Sequence, residues 1–357
     1  MGLLGYGMRS FLRNRGRTTA IIVVVVIAIG LFSGINIAVE SMTSYDVQQS
    51  LNGILVDVGV SATAGDPNSS LSILKGVQGN YPAAIENTFP VTFKTYFTSL
   101  AVNTSGDISW ADINASHYDP KDFEASAALV GVDQSTLAIS RLQGIINVTA
   151  GTFSQGNNSI MVDAATAARL NVTVGSTLSL GAYTAIPLYL NGALYQTNNY
   201  TQEVDNLTVA GIFAVVSYSK LSNLLAAVPG YNAPYVQHNQ DIIWANFTAM
   251  QAILQALTQN AASSVPAFLP TTFFGVIIDH GVVSVLDITG TVELLAQISN
   301  AIYSKGWVNG FSTTDNLYMT IKNEQSYMTA LQLILLAVAI PPLFIGVYLA
   351  ITLSNQT

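Results

Sequence analysis

Two long apolar runs bracket a stretch of mixed patterning. Ala20 to Val39 reads AIIVVVVIAIGLFSGINIAV without a charge, and Ala330 to Leu353 reads ALQLILLAVAIPPLFIGVYLAITL, also uncharged. A helix of either length rises about 30 Å or more, enough for the hydrocarbon core of a bilayer. The pattern therefore predicts transmembrane helices over 19–39 and 329–353, the second with Pro341 and Pro342 in its middle. A cleaved signal peptide is the competing reading of the first run. That run exceeds the usual apolar length of such peptides, and no small-x-small site closes it.

Each apolar run continues as a helical pattern on the side facing the middle of the chain. Ile35, Val39, Met42 and Tyr45 keep a three-to-four spacing after the first run. Tyr318, Ile321, Gln325 and Met328 do so before the second, with Asp315 as the predicted N-cap. Between them, ILVDVGVSAT (54–63) alternates as a strand does, and 91–102 is rich in β-formers. Asn191-Gly192 between AIPLYL and ALYQT predicts a two-residue hairpin, and LTVAGIFAVV (207–216) a buried strand. Helices are expected near 248–258 and 291–305, the latter after the strand FFGVIID. The fold class expected is an α+β outer domain held between two transmembrane helices. Its segment 147–216 is a β-rich subdomain inserted between 40–146 and 217–328.

Composition fits a membrane-attached protein with a large folded part. Half of the 357 residues are apolar and 9% are charged, whereas an ordinary soluble domain has roughly 25% charged residues. With 16 Tyr and 14 Phe the chain has ample material for a core. Charge is unevenly placed. Arg9, Arg13, Arg15 and Arg17 precede the first run with no acid among them. The other eight Lys and Arg and all 20 Asp and Glu lie between Glu40 and Glu324, which leaves that stretch at −12. By the positive-inside rule the four arginines set the N-terminus, and with it 354–357, in the cytoplasm and the middle outside. The acidic middle speaks against nucleic-acid binding.

Sequons agree with an outside location. N-x-S/T occurs at Asn68, Asn103, Asn114, Asn147, Asn157, Asn171, Asn199, Asn206 and Asn246, where roughly four would arise by chance. A tenth, at Asn355, falls on the cytoplasmic side and is expected to stay unmodified. Absence of cysteine removes disulfides and thiolate metal sites. Low charge, abundant hydroxyl and amide side chains and dense sequons together point to an archaeal cell surface.

Motifs for catalysis are missing. No P-loop occurs, Gly2, Gly5 and Gly7 lack the dinucleotide-binding spacing, and no G-x-S-x-G elbow is present. His117, His238 and His280 are isolated, and the acids around His117 (Asp112, Asp119, Asp122, Glu124) do not follow an EF-hand loop. The expectation is a chain with no enzymatic activity, no cofactor and no metal.

The order of these parts resembles the MacB/FtsX-like ABC transporter permeases of the mechanotransmission type. The opening GMRSFLRNRGRTTAIIVVVV is similar to that family's amphipathic helix, basic turn and first span, here 1–18 with Leu4, Met8, Phe11 and Leu12 as the apolar stripe. TAGTFSQGNNSIMVDAATAARLNVTVGSTLSL is similar to the family's glycine-led loop (Gly151), strand (160–163), small-residue helix (164–170) and V-G turn (174–178). LTVAGIFAVV resembles its V-x-G strand. The resemblance implies a porter-like α/β part around the inserted subdomain, a dimer, and a separate cytosolic ATPase as partner. The family has four spans and this sequence shows two, which leaves open a portion of a permease, a split polypeptide or a relative without transport. A pilin-like subunit or a tethered adhesin or receptor remains the alternative, since Arg15-Gly16-Arg17-Thr18-Thr19 before an apolar helix is loosely similar to an archaeal class III signal peptide.

Overall fold

The computed structural model describes residues 15–62, 67–102, 126–190, 193–227, 241–258, 271–305, 307 and 311–355. In chain order the elements are α1 (Arg15–Gly53), β1 (Val58–Ala62), α2 (Pro67–Asn80), β2 (Ile85–Val102), β3 (Ser126–Gly131), α3 (Gln134–Leu137), β4 (Ile146–Gly151) and β5 (Ser159–Asp163). There follow α4 (Ala164–Leu170), β6 (Thr177–Leu190), β7 (Ala193–Val215), α5 (Tyr218–Ala226), β8 (Asp241–Ala245) and α6 (Phe247–Thr258). The last are β9 (Thr271–Ile278), α7 (Ile288–Tyr303), β10 (Phe311–Asp315) and α8 (Asn316–Asn355). The chain divides into a sheet unit, 54–279 with 298–316, and a helical unit, 1–53 with 280–297 and 317–357.

Among the described residues the ten strands of the sheet unit join one mixed sheet, in the order β10-β1-β9-β2-β3-β8-β5-β7-β4, with β6 pairing β2 and β7. The unit is thus α+β. Two neighbouring pairs are parallel, β3 with β8 and β5 with β7; the others are antiparallel. Several sequence expectations are met here. Leu190 pairs with Ala193 across the Asn-Gly position, whose own two residues lie outside the described ones. The strand and helix read at 160–163 and 164–170 are observed as Ser159–Asp163 and Ala164–Leu170.

Alternation along the strands feeds two cores. Ala128, Val130, Met161 and Trp244 join one apolar cluster, while Leu129, Ile160, Val162 and Ile243 join another, because successive strand side chains face opposite sides. Leu221, Leu224 and Leu225 of α5 belong to the first cluster, and Ala249, Met250 and Leu254 of α6 to the second. Helices therefore cover both faces. Trp244 is fully buried; its ring meets Phe213 edge-on at 6.0 Å and its indole N–H donates to the Val132 carbonyl at 3.1 Å. At Gly131 a Cβ would lie 2.4 Å from the Thr92 methyl and 2.6 Å from Met250 Cβ, so only glycine lets α6 lie this close to β3.

Buried carboxylates in this unit have partners. Asp57, fully buried just before β1, accepts from Arg141 Nη1 at 2.7 Å and from the Ile278 N–H at 2.6 Å. Arg141 also donates to the Ile278 carbonyl. One ion pair thus fastens β1, the end of β9 and the turn after α3. Elsewhere Asp163 caps α4, accepting from Ala165 N and Thr166 N. The Thr166 hydroxyl lies between Asp163 and Asp241, 2.7 Å from the latter, and Arg169 pairs with Asp241 at 2.5 Å.

The helical unit has a different surface. On α1, Val39, Thr43 and Val47 are buried, one turn apart. On α8, Leu317 and Ile321 are buried, and Ser50 Oγ donates to Glu324 Oε1 at 3.4 Å. Val26, Ile29, Leu333 and Phe344 are 61%, 61%, 62% and 71% exposed. Among the described residues no helix is long and apolar enough to cross a membrane. Both apolar runs include side chains outside that description, among them Val24, Val25, Leu31, Pro342, Ile345 and Val347.

Asp315 departs from its expected role. It ends β10 directly before α8, but its carboxylate accepts from the Tyr303 hydroxyl, and Oδ1 is buried with no partner among the described residues. Neither carboxylate oxygen therefore accepts from a first-turn N–H of α8 among the described residues.

Candidate functional site

Strands β3 and β8 run side by side in parallel, Ala127 opposite Asp241 through Gly131 opposite Ala245. Val132 N–H extends the ladder to the Ala245 carbonyl at 3.1 Å. Just past their carboxyl ends come Asp133 and Asn246. In sheets with parallel strands this is the edge where ligands gather, because loops and helix N-termini converge there. The loop between β4 and β5 closes the third side.

These segments enclose a cleft of about 420 Å³ lined by Asp133, Gln134, Ser135, Phe153, Ser154, Gln155, Gly156, Asn157, Asn246 and Thr248. Each wall is fixed by local bonding. Asp133 Oδ1 accepts from Phe247 N–H at 2.9 Å and Asn246 Oδ1 from Ala249 N–H at 2.7 Å, so both residues satisfy the first turn of α6. Ser154 donates to the Ser159 carbonyl, and Gln155 N–H to Ser159 Oγ at 3.2 Å. Gly156 has φ +95°, a conformation that favours glycine. Among the described residues the lining carries one carboxylate and no Lys, Arg or His.

Of the sequon asparagines, Asn157 and Asn246 border this cleft. Asn68, Asn147, Asn157, Asn171 and Asn206 are exposed, on α2, β4, the β4–β5 loop, the end of α4 and β7; Asn246 is half-buried as a helix cap. Asn171 and Asn206 adopt left-handed backbone, at φ 53° and 60°. Asn103 and Asn114 lie outside the described residues, and Asn199 falls within β7 with its side chain outside the description. Arg9 and Arg13 also lie outside; Arg15 and Arg17 fall in the first turns of α1. His117, His238 and the acids from Asp112 to Glu124 lie outside as well. Among the described residues no group of three or more His, Asp or Glu could hold a metal ion.

Sequence reading did not single out Asp133, Gln134, Ser135 or Gln155. A signal was present: both LVGVD and DIIWAN end a buried strand on an Asx residue, the signature of a strand-to-helix turn.

No protein family model matches this chain, and no curated protein matches it. Among solved structures, it is similar to a crystal structure from Porphyromonas gingivalis named as "a domain of a putative Permease protein". The two are 14% identical, the overlay covers 72% of this chain and 88% of that one, and the TM-score is 0.33. An overlay that loose defines no shared topology. The class established for this chain is a mixed α/β protein built on one large sheet, with long helices N- and C-terminal to it.

Proposed function

We propose that the chain is a membrane-anchored, non-catalytic permease-type subunit of an ABC transporter, or the N-terminal portion of one, with its sheet unit outside the cell. A separate cytosolic ATPase drives it, and two copies act together. One observation supports this reading above the rest. Helices α1 and α8, of 39 and 40 residues, contain the two uncharged runs, and they are continuous in sequence with two strands that pair directly. Strand β1 follows α1 and β10 leads into α8; Val58 pairs with Asp315, and Asn316 Nδ2 donates to the Val56 carbonyl at 3.1 Å. A change in the separation of the two helices would therefore act on one strand pair. Large exposed apolar side chains along both runs suit a lipid environment, since monomeric soluble proteins rarely present such patches.

The sequon excess favours a second reading, a glycosylated surface protein such as a pilin-like subunit or adhesin with no ATPase. The absence of native cysteine makes both readings testable by single-cysteine labelling. With Ser10→Cys and Asn206→Cys, a membrane-impermeant maleimide should label intact cells at 206 and not at 10. Labelling at 10 would defeat the orientation. Mild-detergent purification from native membranes should retain an ATPase; a purified chain lacking Met1 to Gly16 and any ATPase would hand the case to the pilin-like reading.

A further inference from the structure

The lining of the β3–β8 cleft restricts what it can hold. An anion is disfavoured: no cationic side chain faces it, and Asp133 and Asn246 already occupy N–H groups of the α6 N-terminus that would otherwise attract one. A metal ion would find a single carboxylate. A wholly apolar ligand would leave the amide and hydroxyl groups of the lining without partners, since Phe153, the one large apolar side chain there, is 7% exposed.

What remains matches hydroxyl groups. Gln134, Gln155 and Asn246 supply amide donors, Ser135 and Thr248 supply hydroxyls, and Asp133 Oδ2 has no partner among the described residues. Asn246 has its oxygen in the helix cap, which leaves its NH₂ as a donor. A vicinal diol needs this mixture, since each hydroxyl both donates and accepts. Volume also fits, as about 420 Å³ lies in the range of small-molecule sites. The bonds that fix the β4–β5 loop and both Asx residues reduce the ordering cost of binding.

We propose that this cleft binds a neutral saccharide, with Asp133 accepting from and Gln155 donating to its ring hydroxyls. The inference is independent of the permease reading and stands if no ATPase is found. It is tested on the full chain, produced without glycosylation and purified in a detergent without a sugar headgroup. Methyl glucoside, methyl mannoside and N-acetylglucosamine are the probes, with choline and inorganic phosphate as controls. Saturation-transfer NMR reads the ligand. Trp244 fluorescence reads the protein, because its indole bonds the residue before Asp133.

The expected result is saturable binding of at least one sugar, weakened about tenfold or more by Asp133→Asn and by Gln155→Ala. Asparagine keeps an oxygen for the Phe247 N–H, and Gln155 is exposed, so both variants should melt with the parent; if Asp133→Asn does not, Gln155→Ala with Gln134→Ala decides. Three outcomes overturn the proposal: no sugar binds, sugar binding is unchanged in the variants, or choline or phosphate binds in place of sugars.

Discussion

The sheet unit and the helical unit treat apolar and charged groups in opposite ways. In the sheet unit Trp244, Phe93, Phe213 and Phe273 are fully buried, and Asp57, Asp163 and Asp241 are buried with a partner for each carboxylate. In the helical unit the long apolar stretches of α1 and α8 turn Val26, Ile29, Leu333 and Phe344 outward, and no charge occurs along them. One region is built so that water stays outside a core. In the other, large apolar groups stay exposed along stretches that carry no charge. Val, Ile, Leu and Phe are therefore buried in one region and exposed in the other.

The most severe way to break the sheet unit is to remove the counter-charge of Asp57, the most deeply buried of these carboxylates. Arg141→Ala leaves Asp57 without its counter-charge and should destabilise the unit by about 3–5 kcal/mol. Thermal melting or proteolysis of the purified chain would show it, and a loss near zero would mean that the other contacts of Asp57, the Ile278 N–H among them, suffice for it. The corresponding probe of the helical unit inserts a charge where none occurs. Ile29→Lys should cost about 2.5–3.5 kcal/mol of membrane insertion if α1 lies in a bilayer, visible as a fall in the membrane fraction. On a helix facing water the same change would be nearly neutral.

A smaller effect is expected at the shared hydroxyl. Thr166→Val keeps the shape but removes the donor between Asp163 and Asp241, for a loss of about 1–3 kcal/mol. Thr166→Ser should retain most of the stability, which separates hydrogen bonding from packing. The smallest is a pH effect at Lys94 on β2. Burial lowers its pKa below the ordinary 10.5. In the window between that lowered value and 10.5 the unfolded chain binds more protons than the folded one, so stability should rise with pH there. Lys94→Met should flatten the rise in alkaline melting curves; an unchanged slope would assign it to another group.

Local signals were read well from sequence where the local chain decides. IMVD and AATAARL are read as a strand and a helix and are observed as such, and the arms on either side of Asn191-Gly192 pair from Thr177 opposite Thr208 to Leu190 opposite Ala193. β10 (FSTTD) was not foreseen, because a short polar strand carries no alternation of its own and exists through Val58 to Ala62 opposite it. Asp57 lies in the alternating stretch 54–63, where nothing in the local pattern marks it for burial; its charge is met by Arg141, 84 residues away. The cleft was equally hidden, since its walls come from 133–135, 153–157 and 246–248.

Sequence by itself determined the two uncharged runs, the asymmetry of charge, the pairing of the arms around Asn191-Gly192 and the strand and helix of 160–170, since periodicity, turn chemistry and composition act over neighbouring residues. Tertiary structure decided the strand order, the parallel seating of β3 beside β8, the partner of each buried carboxylate and the polar cleft at their carboxyl ends. Those depend on which distant segments meet, and a side chain's burial and bonding are set by the segment it meets as much as by its own place in the chain.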